Sequence, residues 1–128
     1  MNLNQVTVEA VDVAQSVSFY RRLGFIQIVD APHYARFACP EGESTFSVHS
    51  AAGPAVSSGT VLYFECAHLD QTVAGLQAKG FSFTQLPLDE PWLWREARLV
   101  DPAGNIICLY WAGVNRRNPP WRLPGVGK

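Results

Sequence analysis

Apolar and polar residues alternate over Val6-Thr7-Val8-Glu9-Ala10, and with Val11 the segment reads as a strand rich in β-branched side chains. From residue 12 to residue 23 the period lengthens. Val13, Val17, Tyr20 and Leu23 fall on one face at helical spacing, and Gly24 supplies a stop. Strand patterns follow at 25–29, 34–38 and 45–49, with Pro40-Glu41-Gly42 as a hairpin turn. The succession then returns: a strand at 61–66, a helix at 69–79 closed by Gly80, and three further strands. The last of their turns is Asp101-Pro102-Ala103-Gly104-Asn105.

The return extends to residue identity. A shift of 56 places Glu9 on Glu65, Gln15 on Gln71, Val17 on Val73 and Gly24-Phe25 on Gly80-Phe81. A shift of 62 places Ala35-Arg36 on Ala97-Arg98, and Pro40 and Gly42 on Pro102 and Gly104. Two copies are too few for a solenoid. The expected fold is therefore α+β, with two tandem βαβββ modules. Each sheet has one face covered by its own helix and one bare; pairing the bare faces encloses a cavity. The expected layout is a single domain over 1–128: one module at about 5–50, a linker rich in Ala, Ser and Gly at about 51–59, a second module at about 60–112, and a tail at 113–128.

Composition narrows the function classes. A chain of 128 residues suits one compact core. A formal charge of -1 gives no basic stripe for nucleic acid, and the longest apolar runs are too short to span a membrane. The first residues lack the basic-then-apolar pattern of a secretory signal. Three cysteines, Cys39, Cys66 and Cys108, without CxxC spacing suit free thiols in a reducing cytoplasm, with Cys66 and Cys108 as small buried hydrophobes.

Val11-Asp12 to Ser16, with Phe19-Tyr20 and Leu23-Gly24-Phe25, resembles the first-helix signature of the vicinal oxygen chelate superfamily. This family groups glyoxalases, bleomycin-resistance proteins, fosfomycin-resistance enzymes and extradiol dioxygenases. Asp101-Pro102-Ala103-Gly104-Asn105 before an apolar strand is similar to its last-hairpin signature. The likeness spans about residues 5 to 112. The stretch Glu90-Pro91-Trp92 and Arg95-Glu96, running into that hairpin, is similar to the bleomycin-resistance members.

The resemblance implies divalent-metal ligands on the first and last strands of each module. Those positions are held here by Gln5, Ser47, Val61 and Cys108. Val61 cannot ligate, Ser47 and Gln5 are weak, and Cys108 is out of keeping with hard oxygen and nitrogen ligands. The expectation is therefore no metal and no cofactor. The same geometry implies that Thr7, Glu9, Thr45, His49, Tyr63, Glu65, Ile106 and Tyr110 look into the cavity, while Val6, Val8, Phe46, Val48, Leu62, Phe64, Ile107 and Leu109 face the helices. Arg36 and Arg98 follow inward with Trp94 and Glu96.

The expected ligand-binding residues are accordingly Glu9, Arg36, His49, Tyr63, Glu65, Trp92, Trp94, Arg98 and Tyr110. The glutamates and arginines either neutralise one another or leave an arginine free for an anionic or carbonyl group. Trp92 and Trp94 lie in the six extra residues of the second copy, a proline-rich stretch suited to the rim of a ligand cavity. Trp111 and Trp121 are placed beyond the last strand as packing or interface residues. The tail around Pro119-Pro120 cannot be helical, and its tryptophan should dock on the body or on a second copy.

The leading expectation is thus a metal-free, dimeric, cytoplasmic protein that sequesters an aromatic or partly charged small molecule. The competing one is a divalent-metal lyase, isomerase or dioxygenase using Gln5, His49 and a glutamate. A scaffold with a vestigial cavity filled by Tyr63, Tyr110 and Trp94 is the third.

Overall fold

In the computed structural model, which describes residues 1–53 and 59–127, the elements follow the duplicated βαβββ order. The expected linker falls partly, and Lys128 of the tail wholly, outside the described residues. The first copy consists of β1 (Gln5–Ala10), α1 (Val13–Leu23), β2 (Ile26–Ala31), β3 (Tyr34–Ala38) and β4 (Thr45–Ser50). The second consists of β5 (Val61–Glu65), α2 (Leu69–Ala78), β6 (Gln85–Asp89), β7 (Arg95–Val100) and β8 (Ile106–Trp111).

Local chemistry sets the helix ends. The Asp12 carboxylate accepts from the Gln15 backbone N–H at 3.3 Å and starts α1. Gly24, at φ 117°, ends it in the left-handed conformation that a side chain disfavours. Phe25, expected as the first residue of β2, instead closes the helix by donating to the Tyr20 carbonyl at 3.0 Å. At the start of α2, His68 occupies the cap position without a capping bond and is exposed. Trp111 is the last residue of β8 rather than lying beyond it. A single helical turn, α3 (Val114–Arg117), precedes the prolines, whose rings the helix stops short of meeting.

Each sheet has four strands, ordered β1-β4-β3-β2 and β5-β8-β7-β6. In each, the first and last strands of the copy pair in parallel: Thr7 opposite Ser47 and Glu9 opposite His49, Tyr63 opposite Cys108 and Glu65 opposite Tyr110. The described residues divide into two compact units, 1–53 and 59–60 with 100–105, and 61–99 with 106–127. The turn between β7 and β8 of the second copy thus packs with the first. There Asp101, 3 % exposed, accepts from the Tyr20 hydroxyl at 2.6 Å, from the Ala103 and Asn105 backbone N–H groups at 2.9 Å each, and from the Asn105 amide at 2.8 Å. The Asn105 amide also donates to the Glu9 carbonyl at 2.8 Å.

The two cores differ in kind. Between α1 and its sheet lies an aromatic cluster in which Tyr20, fully buried, meets Phe37, Phe46 and Phe25 at ring separations of 5.5, 4.9 and 6.2 Å. In the second unit the buried residues beside α2 are mostly aliphatic, Leu62, Val73, Leu76, Leu99, Ile107 and Leu109, with Phe81 the buried ring that closes the helix.

Candidate functional site

Strand alternation sends the residues next to these core positions to the sheet face away from the helix. On the first sheet that far face is a net of neutral polar groups. Gln5 Nε2 donates to Ser47 Oγ at 2.7 Å, the Thr7 and Ser47 hydroxyls share a bond at 2.8 Å, and the Thr45 hydroxyl donates to Gln5 Oε1. Ser47 is fully buried at its centre. The Tyr34 phenol joins through Ser47 and receives a bond from Arg36 Nε at 2.8 Å, with the guanidinium carbon 5.4 Å from the Tyr34 ring centre. The bonds to Ser47 and Arg36 hold its pKa below the ordinary tyrosine value against the opposing effect of desolvation. The His49 ring stands edge-on to Tyr34 at 6.5 Å.

On the second sheet the aromatic residues occupy the far face instead. Trp94 and Tyr110 stack at 4.6 Å with their planes 17° apart, and Tyr63 stands nearly perpendicular to both at 5.9 and 5.7 Å. Tyr110 is buried, Trp94 half-buried, and Tyr63 47 % exposed, so one ring of the three remains available. Beside them Glu96, 1 % exposed, accepts from Trp92 Nε1 at 2.6 Å and Arg98 Nη2 at 3.1 Å. The Cys108 thiol points at the same carboxylate from 3.6 Å. Burial, then that negative charge, pushes the thiol up to about 12. The Trp92–Trp94 segment is a tight turn in which Leu93 adopts φ 67° and the Glu90 N–H donates to the Trp94 carbonyl at 2.8 Å.

The nine expected ligand residues therefore have different surroundings. Arg98 is paired with Glu96, whereas Arg36 has no carboxylate partner among the described residues. Glu65 is committed to the backbone: its Oε2 accepts from Ala112 N at 3.1 Å and Gly113 N at 3.0 Å. Glu9 and His49 are exposed neighbours across β1 and β4. Trp92 is anchored by Glu96, and the Trp94 indole donates to the Asn115 carbonyl at 3.4 Å. Tyr34 and Glu96 are absent from the expected set. Both sit two residues before an arginine on the same strand, and that period-two spacing is the signal that finds them.

The four positions that the resemblance implies as metal ligands do not make a fitting donor set. In the first unit both ends of the Gln5 amide are taken by Ser47 and Thr45. In the second, Val61 has no donor atom and the Cys108 thiol is held protonated. No group of three His, Cys, Asp or Glu able to hold a metal occurs among the described residues. A shallow groove of about 280 Å³ beside α2, lined in part by His68, Asp70, Arg95 and Trp111, has its charges closed on one another: Arg95 bonds Asp70 at 2.9 Å and Asp89 at 3.0 Å. No helix is long and apolar enough to cross a membrane among the described residues.

Residues 2–109 match the family model described as Glyoxalase/Bleomycin resistance protein/Dioxygenase superfamily. No curated protein matches the chain. Among solved structures, a lactoylglutathione lyase from Agrobacterium tumefaciens superposes with a TM-score of 0.73 at 16 % identity, covering 95 % of this chain and 97 % of that one. A bleomycin resistance determinant encoded on the transposon Tn5 gives 0.72 at 19 %, covering 87 % and 98 %. A bleomycin-binding protein complexed with bleomycin gives 0.69 at 18 %, covering 87 % and 98 %. At these identities the likeness is one of fold.

Proposed function

The chain belongs to the Glyoxalase/Bleomycin resistance protein/Dioxygenase superfamily, and within it we propose a metal-free protein that binds and sequesters a small planar molecule. The observation that carries this reading is the aromatic far face of the second sheet, where a half-exposed Tyr63 ring stands over the stacked Trp94–Tyr110 pair. Rings already held by one another lose little freedom on receiving a flat ligand, so stacking is cheap in entropy. Glu96, Trp92 and Arg98 supply a fixed polar edge beside those rings. Two structural neighbours are named for bleomycin resistance and bleomycin binding, which supports sequestration as a use of this fold.

The unfitting donor set favours this reading over a metal-dependent lyase, isomerase or dioxygenase. A second copy of the chain is the protein partner it adds, because Trp121 at the end of the tail is 58 % exposed. The test is a tryptophan-fluorescence titration with a panel of planar aromatic compounds. A saturable response weakened at least tenfold in Trp94→Ala is expected. No saturable response from any compound would leave the rings as filling of a scaffold. Elemental analysis after dialysis against manganese, zinc, nickel and iron should find almost no metal; about one ion per chain would overturn the metal-free part.

A further inference from the structure

The far face of the first sheet carries a cation that the aromatic reading does not use. The duplication gives each sheet an arginine at the same place, Arg36 and Arg98, and the two have diverged. Arg98 spends its charge on Glu96 at 3.1 Å. Arg36 makes one bond, from Nε to the Tyr34 hydroxyl, and lies by its ring; both terminal nitrogens are without a partner among the described residues. It is half-buried, so that charge is partly withdrawn from water without a counter-charge.

The neighbours give the site a direction. Tyr34 lies opposite His49 in the β3–β4 register, and neither nitrogen of the His49 ring has a hydrogen bond among the described residues. Across the other edge of β3, Arg36 lies opposite Val29 and Ala38 opposite Ile26, so an aliphatic strip shares the face. Ile26 is 54 % exposed. Two acidic groups flank the site without bonding Arg36: Asp30, exposed on β2 opposite Ala35, and Glu9, opposite His49 on β1 and therefore on the far side of β4 from Arg36.

We propose that Arg36 anchors a binding site for the carboxylate of a small amphipathic organic acid, with its guanidinium fork on the carboxylate, the His49 ring donating a further bond, and Ile26 and Val29 carrying the apolar body. A planar fork matches a carboxylate through two parallel bonds, and fixing Nε on the Tyr34 hydroxyl leaves the terminal nitrogens oriented for that geometry. Placed on a different sheet from the aromatic platform, this site goes beyond the reading above, and either can fail alone.

Benzoate is the probe. It is titrated into ¹⁵N-labelled full-length protein while the Arg36 Nε–H resonance is followed, with neutral benzamide and inorganic phosphate in parallel. A saturable shift at Arg36 with benzoate is expected, with at least tenfold weaker binding of benzamide. Arg36→Gln should lose at least tenfold in benzoate affinity, and Arg36→Lys several-fold, because charge without the fork is insufficient. Absence of a saturable change at Arg36 in the unmodified chain would overturn the site, whatever the variants do. So would unchanged benzoate affinity in a folded Arg36→Gln. Phosphate binding as tight as benzoate would overturn the assignment to an organic acid. A tryptophan-fluorescence response to benzoate that survives Arg36→Gln, with no saturable shift at Arg36 in the unmodified chain, would sink this site and leave the aromatic face standing. A response at Arg36 with silent tryptophans would support this site and place benzoate away from the aromatic face.

Discussion

Arg36 Nε donates to the Tyr34 hydroxyl at 2.8 Å, two residues back along its own strand. In the second copy the arginine keeps that offset and changes its acceptor: Arg98 Nη2 meets Glu96 at 3.1 Å. Exchanging a phenol for a carboxylate at one position converts an available cation into a neutralised one. One duplicated framework thus carries two chemistries, a polar far face with a spare charge and an aromatic far face with its charges matched.

Tyr34 should ionise before Tyr20 and Tyr110, both of which burial raises. Hydrogen bonds from Ser47 and Arg36 favour its phenolate, so its pKa lies below the ordinary value of about 10. Absorbance at 295 nm against pH should show one early step that Tyr34→Phe removes. Arg36→Gln should move that step upward. An early step that persists in Tyr34→Phe would assign the shift elsewhere.

Tyr20 should behave oppositely. Burial, reinforced by the Asp101 charge and the 2.6 Å bond to it, raises the Tyr20 pKa far above the ordinary range. The phenol must therefore stay protonated in the folded state. Its contribution is fully present below the unfolded value of about 10 and is lost as pH rises beyond it. Urea unfolding at pH 7 should show Tyr20→Phe destabilised by about 1–3 kcal/mol, with Asp101 still receiving three of its four bonds. The deficit should shrink above pH 10, as the native chain loses the advantage that the variant never had. A constant deficit across that range would refute the linkage.

The sequence displays the order of elements, the helix stops and the residues that each sheet turns toward its helix, because these rest on local period and on glycine, which act within a few residues. Partner choice was hidden. Glu9 and Glu65 are the same residue at matching positions and both are exposed, yet Glu65 is tied to backbone 47 residues away. Nothing local marks Asp101 as the acceptor for Tyr20, 81 residues earlier. The aromatic inversion was half visible: Phe37 and Phe46 against Leu99 and Ile107 could be read from the strands, but the stacking of Trp94 on Tyr110 depends on how the turn at Leu93 re-aims the chain.

Cys108 should resist alkylation. Its thiol is fully buried, and burial with the neighbouring Glu96 charge pushes its pKa up to about 12, so at pH 8 almost none of it is the reactive thiolate. Iodoacetamide followed by mass spectrometry should modify Cys39 and Cys66, both half-buried, well before Cys108. Labelling of Cys108 at the rate of the others would mean that the Glu96 pocket opens readily.

Glu65 and Trp94, both expected among the ligand residues, hold the tail from two sides: the carboxylate on the Ala112 and Gly113 N–H groups, the indole on the Asn115 carbonyl. Gly113, at φ 56°, brings its N–H to Glu65 against the Trp111 ring, where an added Cβ would lie 3.1 Å from a ring carbon. Glu65→Ala leaves two backbone donors unmatched, each costing on the order of 1–3 kcal/mol where water cannot replace the partner. Amide hydrogen exchange should accelerate at Ala112 and Gly113, while the β5–β8 ladder keeps its protection. Glu65→Gln retains one acceptor oxygen and should fall between the two. Affinity for aromatic probes should change less than twofold in both variants. A tenfold loss of affinity with exchange at Ala112 and Gly113 unchanged would return Glu65 to the ligand set.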